Sequence, residues 1–206
     1  MVSKAEGRLR LLEEIEPGEQ ARALAAERGK DPRLVQAVLD EAVEVVRAGD
    51  GVLVCATRHG LVCANAGVDQ SNASRPGELV LLPEDPDASA RRLREGIATA
   101  RGRRPAVVIA DSFGRAWRIG QTDVAIGVAG LVPLDQWIGR PDAYGRELRA
   151  TSIAIADAVA AAADLVRAKD SRRPAVLVRG LERYVTADHG PGGAALRRPR
   201  EHDLFR

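Results

Sequence analysis

The chain has 206 residues, of which 45% are hydrophobic and 29% are charged, and its formal net charge is only +2 at pH 7. A chain of this length can bury one compact core, so we expect a single domain over residues 1–206. The balanced charge excludes a global basic field of the kind that drives non-specific nucleic-acid binding. No stretch approaches the roughly 20 apolar residues that span a bilayer, so we expect a cytoplasmic protein with no membrane or nucleic-acid partner.

The first third of the chain predicts two helices followed by short strands. One helix begins after Pro17 and ends near Arg28, and a second begins at Asp31-Pro32, where it has a cap and a first-turn proline. Apolar residues at helical spacing predict that the second helix continues to Gly49. The apolar runs 52–55 and 61–64 predict a strand pair, and residues 79–82 predict a third strand.

The remainder of the chain predicts alternating helices and strands without clean βαβ repetition. We expect helices at 85–102 and 151–167, strands at 106–110, 124–130 and 174–178, and a loop and tail over 186–206. Asp111 is expected at the carboxyl end of its strand. The pattern favours a mixed α/β or α+β-like fold with one mixed sheet and flanking helices, and not a Rossmann fold.

Residues 64–72 form the first motif with candidate chemistry, because small residues there would let a backbone approach a ligand. Asp69 and Asn72 offer oxygen ligands that suit a hard divalent cation. The same spacing also fits an Asx-type turn in which the aspartate caps the local backbone. Spacing alone leaves both interpretations open.

Residues 108–118 form the second motif, in which a carboxylate and a hydroxyl follow a buried strand. Asp111 and Ser112 could hold Mg²⁺ against phosphates, while Arg115 and Arg118 could neutralise transferred charge during catalysis. The alternative is an aspartate that caps the next turn, with the arginines on a solvated rim.

Several common types of site are excluded by the sequence. The chain contains neither the glycine-rich P-loop with its lysine nor a strand-linked G-x-G-x-x-G motif. Its three histidines lack metal-ligand spacing, and neither cysteine belongs to a CxxC pair, so we expect no zinc site. Cys55 and Cys63 lie in apolar strand-like runs and are predicted to be reduced core thiols.

Ordered motifs along essentially the whole chain resemble those of the coenzyme F420:L-glutamate ligase family, also called the γ-glutamyl ligase family. The segments that carry the resemblance are residues 2–8, 57–72, 111–118, 120–127, 142–148, 178–181 and 203–206. The resemblance implies GTP-dependent formation of a γ-glutamyl amide with Mg²⁺ or Mn²⁺, in a homodimeric protein whose fold is unrelated to P-loop proteins. Its small-molecule substrates would be GTP, L-glutamate and a deazaflavin coenzyme precursor.

The same resemblance implies roles for particular residues. Asp69 and Asp111 match the metal-binding carboxylates of the family, and Ser112 matches the adjacent hydroxyl ligand. Contacts with the nucleotide are implied at four further positions, namely Lys4, Asn72, Lys169 and Asp170. We also expect that the family has a segment before the position of Met1 and that bacterial relatives have a flavin-binding domain after Arg206.

Two other functions are compatible with parts of the sequence. A metal-dependent nucleotide or phosphate-ester hydrolase would use the same carboxylates to activate water, and glutamate-dependent GTP turnover separates it from a ligase. An arginine-rich module that binds anionic partners would show a steep salt dependence of nucleic-acid affinity, and the balanced charge argues against it.

Overall fold

The computed structural model describes residues 1–49, 51–71 and 73–204, which divide into two compact units. The first unit contains residues 1–84 and 199–204, and the second is Asp85–Arg198. Helices and strands occur in both, which confirms the mixed α/β prediction. All strand pairs of the described residues are antiparallel and form small sheets of two or three strands, so the fold is not a Rossmann fold. That both units belong to one ligase domain stays a prediction.

The first unit consists of short helices and two small sheets around one apolar core. Its elements are α1 (Val2–Ala5), β1 (Leu9–Leu11), α2 (Glu19–Arg28), α3 (Pro32–Glu41), β2 (Ala42–Gly49), β3 (Val52–Thr57), β4 (Val62–Ala64) and β5 (Glu78–Val80). Strand β1 pairs with β5, while β2, β3 and β4 form a three-stranded sheet. Val35 and Val38 of α3 pack in the core with Leu53 and Cys55 of β3. The predicted hairpin of β3 and β4 is therefore confirmed.

The helix that was predicted to reach Gly49 ends at Glu41, and the prediction is wrong beyond that residue. Its beginning is as expected: Asp31 accepts a hydrogen bond from the backbone N–H of Arg33, and the Arg33 side chain lowers the pKa of that carboxyl. The following residues form β2 instead, because β-branched Val45 and its neighbours gain strand pairing with β3. Helical spacing of apolar residues could not reveal that competing partner.

Neither Cys55 nor Cys63 forms a disulfide bond and both are buried, as predicted for core thiols. They lie opposite each other in the antiparallel pair of β3 and β4. Burial raises the pKa of the Cys55 thiol, so this side chain behaves as a small apolar group.

The second unit is built on one long antiparallel hairpin flanked by two helices. Its elements are α4 (Pro86–Arg101), β6 (Val107–Arg115), β7 (Arg118–Ala129), β8 (Leu134–Gln136), β9 (Ser152–Ala154) and α5 (Ile155–Val166). Helix α4 agrees with the prediction, because the Asp85 carboxylate caps its first turn and Gly102 ends it in a left-handed conformation. The core of this unit includes Val128 and Ile155.

Several elements of the second unit differ from the prediction, among them β7, which begins at Arg118 and not at Val124. Strand β6 continues to Arg115, so Asp111 lies inside the strand and not at its carboxyl end. The helix expected from residue 151 begins at Ile155, because residues 152–154 pair with β8 as β9. The predicted strand 174–178 is absent: these residues are exposed and have no regular structure. Its β-branched residues favour extension, but a strand also requires a neighbour that exchanges hydrogen bonds with it.

Two polar side chains of α4, the partly buried Asp87 and the buried Arg94, connect β7 to the later loop. The Asp87 carboxylate accepts hydrogen bonds from the backbone N–H groups of Val128 and Gly193 at 2.8 and 2.7 Å. Arg94 is 1% exposed and donates to the carbonyl oxygens of Thr186 and, at 3.0 Å, of Pro105. The segment 186–198 was predicted as loop, and these contacts hold it at defined positions.

Candidate active site

The central part of the β6–β7 hairpin carries the second sequence motif. In its register Asp111 lies opposite Val124, and Ser112 lies opposite Asp123. Successive side chains of a strand point to opposite faces, and the register is regular between Ala110 and Gly114. Asp111 and Ser112 therefore belong to different faces of the hairpin.

Ser112 lies in a polar cluster that also contains Asp123, Arg167 and Lys169. Its hydroxyl donates to Asp123 Oδ1 at 2.7 Å and accepts from Lys169 Nζ at 2.7 Å. Asp123 is 1% exposed, and its other carboxylate oxygen forms an ion pair with Arg167. Buried carboxylates need such pairing, because removing a charge from water is costly. The structure thus places two predicted residues, Ser112 and Lys169, in direct contact, and it adds two neighbours, Asp123 and Arg167, that the sequence interpretation missed.

A sequence feature could have drawn attention to Asp123. It is a single carboxylate immediately before the apolar run 124–129, in a segment whose function the motif analysis left open. An acidic residue beside a buried strand indicates either a capping role or a site. Arg167 has no comparable feature, since it is one of many arginines that follow helices in this chain.

The Asp69 loop in the first unit has the geometry of an Asx-type turn. Asp69 Oδ1 accepts from the backbone N–H of Ser71 at 2.8 Å, and Asp69 Oδ2 accepts from Ser71 Oγ at 2.5 Å. The backbone of Asp69 also exchanges two hydrogen bonds with Val80, at 2.9 and 2.8 Å. Just before it, Gly67 has a positive φ, and a Cβ there would lie 2.6 Å from the Leu82 side chain. Asn72, the predicted nucleotide contact, lies outside the described residues.

The remaining predicted nucleotide contacts lie at surface positions. Lys4 is in α1, and its ammonium group is 3.5 Å from Ser74 Oγ in the same unit. Asp170 is exposed in the turn that follows Lys169. Both positions suit side chains that reach a dissolved ligand, because neither requires the core to open.

The two predicted catalytic arginines, Arg115 and Arg118, form the exposed tip of the β6–β7 hairpin. They lie opposite each other in the register, and Arg115 donates to the carbonyl oxygen of Ile119 at 2.8 Å. Between them Trp117 is 82% exposed and has a φ of +56°, which is uncommon for a bulky residue. The tip therefore presents two guanidinium groups and an aromatic ring to solvent.

The predicted metal ligands fit a hard cation only in part when each is considered in its own unit. The carboxylates of Asp69 and Asp111 are suitable ligands for Mg²⁺ or Mn²⁺. Ser112 fits less well, because its hydroxyl already has two partners, one of them a positive ammonium group. Within residues 1–49, 51–71 and 73–204, no three His, Cys, Asp or Glu side chains form a cluster that could hold a metal ion.

No helix in the described part of the chain is long and apolar enough to cross a membrane.

Comparison with known proteins gives a consistent result along the chain. The model of the family described as F420-0:Gamma-glutamyl ligase matches residues 1–180. The chain is 47% identical over 207 residues to the "Coenzyme F420:L-glutamate ligase" of Methanothermobacter thermautotrophicus, covering 100% of this chain and 81% of the relative. It is also 47% identical over 208 residues to the protein of the same description from Methanopyrus kandleri, covering 100% and 82%.

A third relative supports the same assignment. The "Coenzyme F420:L-glutamate ligase" of Methanocaldococcus jannaschii is 42% identical over 207 residues, which cover 100% of this chain and 81% of that protein. Identities of this size over the full chain, together with the family model, confirm the resemblance seen in the motifs. The chain belongs to the coenzyme F420:L-glutamate ligase family of enzymes.

Proposed function

We propose that this enzyme joins L-glutamate to a deazaflavin coenzyme F420 precursor through a γ-glutamyl amide bond, with GTP as the energy source and Mg²⁺ or Mn²⁺ as the metal. The observation that supports this most is the 47% identity to a coenzyme F420:L-glutamate ligase over 100% of the chain. The cluster around Ser112 adds support, because an exposed lysine beside a hydroxyl suits the binding of phosphate oxygens.

The proposed reaction proceeds through an acyl phosphate. A carboxylate oxygen of the precursor attacks the γ-phosphorus of GTP, the bond from that phosphorus to the bridging oxygen breaks, and GDP leaves. The amine of L-glutamate then attacks the activated carbonyl, loses a proton, and expels inorganic phosphate. No protein nucleophile is required, so the chain contributes by positioning the reactants and stabilising charge.

Each proposed residue has a role that its chemistry supports. Asp69 and Asp111 would each be a ligand for a divalent metal ion, which when bound would neutralise charge on the phosphates. Lys4 and Lys169 would donate hydrogen bonds to phosphate oxygens, with Asn72 and Asp170 as further nucleotide contacts. Arg115 and Arg118 would offset charge on the departing phosphate, because their guanidinium groups are exposed at the hairpin tip. Ser112 as a metal ligand stays a prediction, and its contacts favour a place beside an ammonium group.

We also predict that the enzyme is a homodimer. It would work in the cytoplasm and act on small molecules, not on nucleic acid. Gel filtration combined with light scattering tests the oligomeric state. A monomer at micromolar concentration would contradict the predicted dimer.

Mass spectrometry of the reaction products tests the proposed function. The chain is incubated with GTP, Mn²⁺, L-glutamate and the deazaflavin precursor, and each component is omitted in turn. We expect a product that is heavier than the precursor by one glutamate residue, formed only when all four are present. GTP hydrolysis that is independent of glutamate, without such a product, would favour the hydrolase instead.

A further inference from the structure

We propose that the ammonium group of Lys169 occupies the cation position beside Ser112, so that this place binds a phosphate oxygen through Lys169 and no metal through Ser112. The inference rests on the proposed function, because it specifies how the same site would bind its nucleotide. It also changes the expected set of metal ligands, from which it removes Ser112.

The Ser112 hydroxyl already uses most of its hydrogen-bonding capacity. A hydroxyl has one proton to donate and two lone pairs. Its proton points to Asp123 Oδ1 at 2.7 Å, and Lys169 Nζ donates to one lone pair at 2.7 Å. A metal ion on the remaining lone pair would share one small oxygen with a positive ammonium group. Repulsion between these two charges disfavours simultaneous binding.

The charge of Asp123, the only carboxylate that Ser112 contacts among the described residues, is already paired. Asp123 is 1% exposed, and Arg167 neutralises it through an ion pair. Arg167 also reaches Asp164, whose Oδ1 lies at 4.0 Å. A guanidinium group pairs strongly with a buried carboxylate and is not readily displaced by solvent. Asp123 is therefore engaged by a charge from the chain itself and does not offer its negative charge to a metal.

The positive charge of Lys169 is not balanced by a nearby carboxylate. Within the part of the chain that the structure describes, no carboxylate lies at salt-bridge distance from Lys169, whose contact is the neutral Ser112 hydroxyl. The residue is exposed, so an anion can reach it from solvent. An ammonium group held beside a hydroxyl provides one charge and several donors, which suits a phosphate oxygen of a nucleoside triphosphate.

The side chains of Asp111 and Ser112 lie on opposite faces of β6. Asp111 lies on the face of β6 opposite to Ser112, because the register around them is regular. Asp111 can therefore act as a metal ligand without Ser112. The two roles predicted for this motif are separated by the strand, with the metal at Asp111 and the built-in cation at Ser112.

Titration with Mn²⁺ alone, followed by electron paramagnetic resonance, tests this inference without measuring activity. Lys169→Glu replaces the ammonium group with a carboxylate at an exposed position, so the fold is expected to persist. We expect this variant to gain only a weak Mn²⁺ site, with a dissociation constant in about the millimolar range because Asp123 stays paired with Arg167, and Ser112→Ala in the same chain to remove the gain. Lys30→Glu is the matched control, since it makes the same change of charge in the other unit and should give no gain.

A second arm uses the Ser112→Ala substitution by itself. Because Ser112 is inferred to bind no metal, Mn²⁺ affinity should stay within about twofold of the unsubstituted protein. A loss of about tenfold or more, or no added Mn²⁺ binding in Lys169→Glu, would overturn the inference. If the unsubstituted chain binds no Mn²⁺ and Lys169→Glu binds it, the inference stands and the proposed metal dependence fails.

Calorimetry with GTP tests whether Lys169 binds a phosphate oxygen. In the absence of metal, Lys169→Gln should weaken GTP binding by about tenfold or more in calorimetry, because a charge-assisted hydrogen bond is lost. Lys30→Gln should leave the affinity unchanged. Equal GTP affinities for Lys169→Gln and the unsubstituted chain would contradict the binding of phosphate by Lys169.

Discussion

The Asp69 loop and the Ser112 strand each carry a predicted metal ligand, and the hydrogen-bond partners of the two side chains lie at very different distances along the chain. The Asp69 carboxylate accepts from Ser71, two residues away. Ser112 contacts Asp123 and Lys169, which lie 11 and 57 residues away. The local turn can be derived from the chemistry of neighbouring residues, whereas the cluster at Ser112 exists only because strands and a helix end meet.

The largest expected effect is a loss of activity that the two regions should share if both hold a metal. Asp111→Asn and Asp69→Asn should each lower the rate of ligation by about 1000-fold, because each removes a charged oxygen from the proposed metal. Steady-state kinetics with mass spectrometric detection measures this, and circular dichroism verifies the fold. Stability should change little for Asp69→Asn, since an asparagine oxygen still accepts from the N–H of Ser71. Full activity of either variant would contradict its role as a ligand.

The next effect is on stability and concerns the hairpin alone. Asp123→Asn removes the negative charge that pairs with Arg167, in a side chain that is 1% exposed. We expect the free energy of unfolding to fall by about 2–3 kcal/mol, because part of the cluster is left uncompensated. Urea denaturation measures it, with exposed Asp170→Asn as the control that should change stability by less than about 0.5 kcal/mol. A similar small change for Asp123→Asn would show that the ion pair is not structural.

The contrast between these regions also indicates how far the sequence predicts the fold. Helix α4 was predicted at its observed position because Asp85 and Gly102 specify its ends locally. Strand β2 was mistaken for helix, and residues 174–178 for a strand, because both depend on whether a distant segment is available for pairing. Motif resemblance identified Ser112 and Lys169, yet their direct contact, beside the ion pair of Asp123 with Arg167, is a tertiary property.

A smaller effect is expected at the start of the chain. Lys4→Ala should raise the KM for GTP by about tenfold with little change in kcat, because a contact that is equal in ground and transition states is lost. The weak 3.5 Å contact with Ser74 should contribute little to stability. Initial rates at varied GTP concentration decide the matter, and an unchanged KM would remove Lys4 from the proposed nucleotide contacts.

The smallest effect concerns the local turn. Ser71→Ala deletes one of the two hydrogen bonds to Asp69 and keeps the backbone one. We expect a loss of about 0.5 kcal/mol in stability, since the bond is exposed to water. Thermal denaturation compares this variant with Ser171→Ala, which removes from the other unit an exposed hydroxyl that accepts a hydrogen bond from the backbone N–H of Arg173. A loss above about 2 kcal/mol would mean that the turn is more than a local structure.

The central claim is that nucleotide cleavage is coupled to amide formation, and the stoichiometry of the two products tests it most directly. GDP and the glutamylated coenzyme are quantified in the same reaction, with L-glutamate varied from absent to saturating. Coupled ligation predicts equal amounts of GDP and amide at every time point and very little GDP without glutamate. GDP released at the same rate without glutamate would contradict the claim and identify the chain as a nucleotide hydrolase.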